Sequence, residues 1–203
     1  MKTLWVEDYR PTSIKDYVFQ NTEHKKTFEN WISEGYIPHL LLVGEPGSGK
    51  TSLAVTLKNE LKIDNGDFLS LNASLENNVD TVRDKIVNFC STVSFGNFKI
   101  IILDEYDNMS PQAQKILRNI METYSDNTRF ILTANYENKI IPAIHSRCQT
   151  FKFNSMNKND FTLKAAEILV DNNIDFKIET LDKYVKSTYP DLRKCINQVQ
   201  QNS

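Results

Sequence analysis

The amino-acid sequence predicts an α/β protein with a five-stranded parallel sheet flanked by helices, followed by a small domain of three helices. Two patterns carry this prediction. Five short apolar runs alternate with helical periodicity as far as residue 153, and after that point only helical patterns occur. Strands that alternate with helices need crossover connections, which give a parallel sheet. We therefore expect an α/β domain over residues 1–153 and a helical domain over residues 154–203.

The predicted strands are short runs rich in leucine, isoleucine and phenylalanine. In chain order they cover residues 39–43, 67–73, 99–103, 129–134 and 149–153. The middle runs, such as KIIIL and RFILTA, are continuously apolar, which is typical of strands buried on both faces. Helical patterns cover residues 50–61, 79–89 and 112–124 between the strands, and 158–170, 179–188 and 191–201 after the last strand.

Composition excludes several classes of protein. The chain of 203 residues has a net charge of −2, so any surface that binds nucleic acid must be local. No apolar run approaches the ~20 residues of a membrane span, and the N-terminus lacks the apolar region of a signal peptide. Three widely spaced cysteines argue against a disulfide framework and against a zinc cluster. We therefore expect a cytoplasmic protein with no membrane attachment.

The stretch GEPGSGKTS at residues 44–52 fits the pattern G-x-x-x-x-G-K-S/T in full, between a predicted strand and a predicted helix. Its glycines let successive backbone N–H groups curl around phosphate oxygens, and the helix N-terminus adds partial positive charge. We expect Lys50 to reach the β- and γ-phosphates of a nucleotide and the Thr51 hydroxyl to ligate Mg²⁺. A glycine-rich turn with a chance lysine is the alternative. The nucleotide contacts predicted along this loop are Gly44, Glu45, Pro46, Gly47, Ser48, Gly49, Lys50, Thr51 and Ser52.

A pair of carboxylates follows the third predicted strand, in the stretch KIIILDEYD. At the carboxyl end of that strand, beside the phosphate loop, Asp104 is expected to hold the Mg²⁺ shell, and Glu105 to orient and deprotonate an attacking water. Charges this close to a buried strand need a partner or a metal ion. A solvated carboxylate pair is the alternative. A dedicated glutamate beside a metal-binding aspartate favours ATP hydrolysis over passive nucleotide storage.

Two polar residues follow the fourth predicted strand. Asn135 stands where that strand ends, and its amide could hydrogen-bond the γ-phosphate and the lytic water. A turn residue with an Asx-type bond is the alternative for Asn135. Arg147 lies in HSRC, a segment with neither helical nor strand periodicity, and by itself it is typical of a solvated arginine.

These pieces, in this order, resemble the AAA+ ATPases and, within them, the clamp loaders, over essentially the whole chain. EDYRP at residues 7–11 resembles the adenine-side motif, GEPGSGKT the Walker A motif, and IIILDEYD the Walker B motif. LTAN resembles sensor 1, HSRC the SRC motif that carries the arginine finger, and YPDLRK at residues 189–194 sensor 2 of the helical lid. The SRC triplet distinguishes the clamp loaders from other AAA+ ATPases, because most AAA+ proteins share the Walker A and Walker B motifs. The resemblance implies a P-loop NTPase fold of the AAA+ type.

In its details the sequence is most similar to the ATPase subunit of T4-like phage clamp loaders, of the replication factor C small-subunit type, with DEYD in place of the common DEAD. GEPGSGKT departs from the commoner GPPGTGKT and keeps the motif glycines. Clamp-loader subunits carry a further helical collar domain after the lid. We expect the 203 residues to lack this collar domain, and its absence would argue against stable self-assembly.

The resemblance also implies ATP and Mg²⁺ as cofactors and assigns roles to single residues. Arg147 would reach the γ-phosphate bound by a neighbouring subunit, so that an isolated chain binds ATP and hydrolyses it slowly. Arg193 would contact the γ-phosphate of its own subunit and couple the position of the lid to the nucleotide state. Tyr9, Arg10 and Pro11 would flank the adenine.

The partners implied by the resemblance are a sliding clamp, primer–template DNA and the other subunits of a hetero- or homo-oligomer, pentameric in the family. ATP binding would open the clamp and grip the phosphate backbone of the DNA, and hydrolysis would release both. The expected phosphate contacts are Arg83 and Lys85, with Lys115 near the DNA or the clamp. Helical spacing turns Val79, Val82, Ile86 and Phe89 toward the core. A solvated helix face, with Asp80 and Asp84 beside Arg83, is the alternative.

Two other functions stay open at this point. One is a different DNA-processing AAA+ ATPase, such as a helicase loader or a Holliday-junction motor; the SRC triplet and the EDYRP start argue against it. The other is a nucleotide-dependent assembly module with little hydrolysis. The intact set Lys50, Glu105, Asn135 and Arg147 argues against that.

Overall fold

The computed structural model describes residues 4–74 and 79–202, and it confirms the predicted fold class. Parallel strands lie in the order β2-β3-β4-β1-β5 and form a five-stranded sheet. Their bounds lie within one or two residues of the predicted ones. The strands are β1 (Leu40–Gly44), β2 (Phe68–Asn72), β3 (Lys99–Asp104), β4 (Thr128–Ala134) and β5 (Gln149–Phe153).

The helices connect the strands and then continue beyond β5. Those before and within the sheet region are α1 (Trp5–Asp8), α2 (Thr22–Glu34), α3 (Lys50–Glu60), α4 (Val79–Ser91), α5 (Pro111–Thr123) and α6 (Pro142–His145). Those after β5 are α7 (Lys158–Asp171), α8 (Ile178–Thr188) and α9 (Leu192–Gln201). Within residues 4–74 and 79–202, no helix has both the length and the apolar character needed to cross a membrane.

The sheet has an apolar cluster on each face because side chains alternate along a strand. On β1, Leu41 and Val43 join one cluster with residues of α4, α5 and α6, while Leu40 and Leu42 join the other with residues of α2 and α3. β1, β3 and β4 are almost wholly buried, as their continuous apolar runs predict. A third cluster lies inside the helical region and includes Phe161 and Val185.

The pairing register brings the carboxyl ends of three strands to one edge of the sheet. Val43 lies opposite Ala134, and Leu103 lies opposite Leu132. The residues that follow these positions, in the loop after β1, at the end of β3 and after β4, therefore meet at that edge. This is the edge where polar residues were predicted to form a site.

Sequence analysis missed α2, along with the short helices α1 and α6. α2 begins after Asn21, whose side chain accepts hydrogen bonds from the backbone N–H groups of Glu23 and His24, and it ends at Gly35 in the left-handed conformation. Among its residues only Phe28 is buried, where its ring lies 4.7 Å from that of Phe151. Trp31 and Ile32 pack beside Phe28 in the same apolar cluster, at spacings of three and four, so the helical signal was present in the sequence and was not used.

Candidate nucleotide site

A cavity lies at the carboxyl edge of the sheet, between the loop after β1, the N-terminal segment and the helical region. The predicted residues on its walls are Tyr9, Arg10, Pro11, Pro46, Gly47, Ser48, Gly49, Lys50, Thr51, Ser52, Asp104, Glu105, Asn135 and Arg193. The folded chain therefore brings together residues that are separated by up to 184 positions in the sequence (Tyr9 to Arg193).

The loop after β1 has the backbone shape that its glycines predict. Gly47 and Gly49 have φ angles of 81° and 87°, in the left-handed region that favours glycine. α3 then begins at Lys50, so its first backbone N–H groups point at the loop. An N-terminus with unpaired N–H groups beside a curled loop suits the negative oxygens of a phosphate chain.

Lys50 is almost fully buried and joins two of the predicted site elements. Its Nζ donates to the carbonyl oxygens of Gly44 (2.8 Å) and Glu45 (2.9 Å), and to Oδ1 of Asn135 (3.0 Å). Burial lowers the pKa of Lys50, while the nearby carboxylates of Asp104, Asp107 and Glu105 act in the opposite direction. The ammonium group therefore lies between the loop and the end of β4, with carboxylates close by.

Thr51 and Asp104 form the pair of oxygens expected to hold Mg²⁺. The Thr51 hydroxyl donates to Oδ1 of Asp104 at 2.8 Å, and the same carboxylate oxygen accepts from the hydroxyl of Thr133. A hydroxyl and a carboxylate next to a phosphate-binding loop are the hard oxygen ligands that Mg²⁺ takes in such sites. The residues present therefore fit a magnesium ion bound between Thr51 and Asp104.

Glu105 adopts an unusual backbone conformation at the mouth of the cavity. Its φ of 54° lies in the left-handed region, which non-glycine residues rarely occupy and which costs on the order of 1–3 kcal/mol. Its backbone N–H donates to the Thr133 hydroxyl (3.1 Å), and Nδ2 of Asn108 donates to its carboxylate (3.3 Å). Glu105 thus lines the same cavity as Thr51 and Asp104.

Asp107 and Thr133 support the site and were missed by sequence analysis. Asp107 is 5% exposed, and its carboxylate accepts from the backbone N–H groups of Asn135 and Tyr136, both at 3.2 Å. These bonds fix the turn that presents Asn135. The signal for Thr133 was present in the sequence: it is a polar residue near the carboxyl end of an apolar strand, two positions before Asn135. Asp107 had no comparable local signal.

The N-terminal segment closes one side of the cavity. Tyr9, Arg10 and Pro11, which were predicted to flank an adenine, line it, and so do Tyr17 and Val18, for which no role was predicted. The Tyr17 hydroxyl donates to the carbonyl oxygen of Ser48 at 3.4 Å. A Cβ atom at Gly49 would lie 2.9 Å from that hydroxyl, so glycine is also required there by close packing.

The helical region closes the other side. Arg193 of α9 lines the cavity, together with the unpredicted residues Lys164 and Ile196. Gly44 and Glu45, in contrast, do not line it, although both were predicted to contact the nucleotide. A Cβ at Gly44 would meet the carbonyl oxygen of Phe153 at 2.2 Å, and the Glu45 carboxylate accepts from the Ser155 hydroxyl at 2.5 Å. Gly44 therefore packs against the end of β5, and Glu45 is turned toward the chain that follows β5.

Arg147 lies outside the cavity, on the loop between α6 and β5. Its guanidinium Nη2 forms an ion pair with Oε1 of Glu122 on α5, and its side chain is 43% exposed. The structure thus separates Arg147 from the other predicted catalytic residues.

The predicted DNA-contacting residues lie on helix surfaces. Arg83 forms ion pairs with Asp80 and Asp84, both at 3.0 Å, and Lys85 and Lys115 are exposed. The predicted inner face of α4 has Val82 and Ile86 buried and Phe89 partly buried. The side chain of Val79, which was assigned to the same face, lies outside the described residues.

Comparison with known proteins adds relatives and structural neighbours. Residues 40–156 match the ATPase family associated with various cellular activities (AAA). The replication factor C small subunit of Sulfurisphaera tokodaii is 41% identical over 98% of this chain and 62% of its own length. That of Methanococcus maripaludis is 39% identical over 98% of this chain and 64% of its own length.

Among solved structures, the Thermotoga maritima RuvB Holliday junction branch migration motor superposes with a TM-score of 0.76. It is 16% identical to this chain and is matched over 93% of this chain and 63% of its own length. At that identity the likeness concerns the fold alone. The chain spans 62% of the length of the Sulfurisphaera relative. Because the AAA match spans more than half of its residues, the chain belongs to the ATPase family associated with various cellular activities (AAA).

Proposed function

We propose that this chain is the ATPase part of a clamp-loader subunit, in which ATP binding and hydrolysis drive the opening of a sliding clamp and its loading onto primer–template DNA. The observation that carries the proposal is the side-chain network at the carboxyl edge of the sheet. There Lys50 bonds Asn135, and Thr51 bonds Asp104, on the wall of one cavity. Similarity to the replication factor C small subunits supports the choice of reaction and partners.

In the proposed reaction the loop from Pro46 to Ser52 and the N-terminus of α3 hold the phosphate chain, and Lys50 neutralises charge on its β and γ groups. Thr51 and Asp104 hold Mg²⁺, which when bound neutralises charge on the phosphate oxygens. Glu105 orients the attacking water and accepts its proton, as a general base. Asn135, held by Lys50 and Asp107, hydrogen-bonds the water and the terminal phosphate.

The remaining assignments divide between one subunit and its neighbour. Tyr9, Arg10 and Pro11 flank the adenine, and Arg193 contacts the γ-phosphate from the lid of the same subunit. We take residues 1–153 as the nucleotide-binding domain and residues 154–203 as that lid. Arg147 supplies an arginine finger to the site of the next subunit, a contribution of order 10³–10⁵ in rate where such a residue operates. Its position outside its own cavity supports this role.

For DNA, we propose phosphate contacts by Arg83, Lys85 and Lys115 in a multi-subunit assembly, pentameric as the family resemblance suggests. The ion pairs of Arg83 with Asp80 and Asp84 are exposed, and such pairs are worth about 0–1 kcal/mol, so a phosphate can displace them. Assignment to the cytoplasm, of a host cell if the chain is encoded by a T4-like phage, belongs to the same proposal.

For the clamp, we propose a contact at the loop between α4 and β3. Val93 and Phe95 are 89% and 83% exposed there, which is unusual for large apolar side chains. The buried Asp67 carboxylate accepts from the backbone N–H groups of Phe95 (2.7 Å) and Gly96 (2.8 Å), so the loop is anchored from inside. Two apolar side chains on an anchored loop suit a hydrophobic pocket on another protein.

The test is the rate of ATP hydrolysis by the chain alone, with DNA, with a candidate clamp, and with clamp and primed DNA together. Clamp loading predicts a slow basal rate and the largest stimulation when both partners are present. Phe95→Ser should reduce the stimulation by clamp and leave the basal rate unchanged. Stimulation by branched DNA without any clamp would favour a junction motor. Tight ATP binding without turnover under all four conditions would favour an assembly module.

A further inference from the structure

The proposed arginine finger lies in a small charged cluster that its own subunit provides. Glu122 lies near the end of α5, and its Oε1 accepts a hydrogen bond from Nη2 of Arg147. The same oxygen forms an ion pair with Nη2 of Arg118 at 2.6 Å. Arg118 precedes Glu122 by four positions on α5, so both face the same side of the helix. The three side chains are 37%, 29% and 43% exposed, in the order Arg118, Glu122 and Arg147. The cluster therefore lies at the protein surface with one more cation than anions.

The backbone of Arg147 is fixed by contacts that do not involve its side chain. The N–H groups of Arg147 and Cys148 both donate to the carbonyl oxygen of Ile144, at 2.9 Å and 3.1 Å. Ile144 is fully buried in the apolar cluster that α5 helps to form. The backbone of Arg147 is therefore held in place, and only its side chain has conformational freedom to lose. Arginine side chains carry about 2 kcal/mol of rotamer entropy, which an external phosphate contact alone would have to offset.

We propose that Glu122, itself oriented by Arg118, is a positioning residue that presents the Arg147 guanidinium to the nucleotide phosphate of a neighbouring subunit. The inference rests on the proposed function, because it requires Arg147 to act in trans. A guanidinium carries five N–H donors, and the contact with Glu122 runs through Nη2, so the group can bond Glu122 and a phosphate together. Arg118 shares the same Glu122 oxygen, so it holds the carboxylate in place beside the Arg147 guanidinium.

Two variants separate the finger from the site that it serves. The donor, Lys50→Ala, keeps Arg147 and loses its own phosphate-binding lysine. The receiver, Arg147→Ala, keeps its site and loses the finger. Each is assayed for ATP turnover alone and in mixtures, with candidate clamp and primed DNA present. If Arg147 acts in trans, the mixture turns over ATP faster than either variant alone.

Glu122→Gln is then placed on one partner at a time. On the donor it should lower the recovered turnover about fivefold, the upper range for an exposed ion pair, with the KM for ATP unchanged because the receiver's site is intact. On the receiver, which no longer carries Arg147, the change should stay below twofold. Arg118→Met on the donor should give a smaller loss, about twofold. Glu29→Gln on the donor is the matched control, since Glu29 forms an exposed ion pair with Lys25 on α2.

The outcomes distinguish this inference from the function on which it rests. Loss on the donor alone supports positioning of the finger by Glu122. Equal loss on both partners shows a general structural effect and overturns the inference, as does an unchanged rate with the Glu122→Gln donor. A faster rate with that donor shows that Glu122 restrains the finger, which also overturns it. No recovery in any mixture overturns the trans role of Arg147 and the positioning role with it.

Discussion

The carboxyl and amino ends of the strands form two opposite edges of the central sheet. Each of these edges carries a buried lysine, in contrasting surroundings. Lys50, at the carboxyl edge, bonds the side chain of Asn135 and lies near the carboxylates of Asp104 and Glu105 on the wall of a cavity. Lys99, the first residue of β3 at the opposite edge, is 0% exposed, and its Nζ donates to the carbonyl oxygen of Phe89 at 2.8 Å. Burial is similar in the two cases, so burial does not identify the functional lysine.

Lys99 also donates to the Thr92 hydroxyl, while three other polar groups at the amino edge bond backbone atoms. Asp67 accepts from backbone N–H groups, Nδ1 of His39 accepts from the N–H of Phe130 (3.1 Å), and Nε of Arg129 donates to the carbonyl oxygen of Ile37 (3.0 Å). Such bonds hold segments of the chain in place, as do the bonds of Lys50 to the carbonyl oxygens of Gly44 and Glu45. Side chains that bond one another beside a cavity can exchange those bonds for contacts with a nucleotide. The comparison therefore assigns chemistry to the carboxyl edge and stability to the amino edge.

The strongest test of that comparison is Glu105→Gln, which keeps the shape and removes the base. We expect ATP turnover in the stimulated complex to fall by about 10²–10⁴, the usual range for a positioned general base, with nucleotide affinity and thermal stability retained. Glu137→Gln serves as the control, since Glu137 forms a surface ion pair with Lys152. A fall of less than tenfold would remove Glu105 from the general-base role.

Acid should weaken the amino edge through His39. Burial, and then the charges of Arg129 and Arg147, lower the pKa of His39 from 6.5 to about 4. Between these values the unfolded chain binds a proton that the folded chain does not, so the free energy of unfolding falls as the pH drops from 6.5 to 4. The loss is at most about 3 kcal/mol, at 1.36 kcal/mol for each pKa unit.

Denaturant unfolding at pH 7, 5.5 and 4.5 measures this effect. His39→Asn keeps an acceptor for the Phe130 N–H and cannot take up the proton, so its stability should change less over the same range. The difference between the two chains isolates His39 from carboxylates that also titrate. Parallel curves for both chains would show that His39 is not the group responsible.

A smaller effect is expected at the carboxyl edge from Asp107→Asn. The variant loses the charge that accepts from the N–H groups of Asn135 and Tyr136, so Asn135 is less firmly held. Turnover at saturating ATP should fall about tenfold with little change in nucleotide affinity, because charge-assisted hydrogen bonds are worth about 1.5–3 kcal/mol. If affinity fell and turnover did not, Asp107 would act on binding instead of on the position of Asn135.

Tyr17→Phe should have the smallest effect. It removes a hydroxyl whose bond to the Ser48 carbonyl is long, at 3.4 Å, and keeps the ring that packs against Gly49. We expect a roughly twofold loss in ATP affinity, since a neutral hydrogen bond contributes about 0.5–1.5 kcal/mol at normal length. Calorimetric titration with ATP measures it. Tyr36→Phe, at a partly exposed tyrosine of the amino edge, should leave affinity unchanged.

Much of the fold could be predicted because its strands are continuous apolar runs. KIIIL and RFILTA became β3 and β4 with bounds shifted by a single residue at one end. The left-handed glycines of the phosphate loop were likewise predictable, because the motif is local. Gly47 and Gly49 adopt the positive φ angles that the loop requires. The helix α2 was also predictable, because Phe28, Trp31 and Ile32 repeat at helical spacing and pack in one apolar cluster, but the sequence analysis did not use that pattern.

The sequence by itself determined which segments are strands, where the phosphate loop turns, and that Lys50, Thr51, Asp104 and Glu105 belong to one kind of chemistry. Only the tertiary structure decided that Asp107 holds Asn135, that Tyr17 packs on the loop, and that Glu122 receives Arg147 from 25 positions away. The physical reason is the separation along the chain over which each signal acts. Periodicity and motif spacing reflect conformation and burial within a few residues, whereas these contacts depend on how strands and helices distant in the chain pack together.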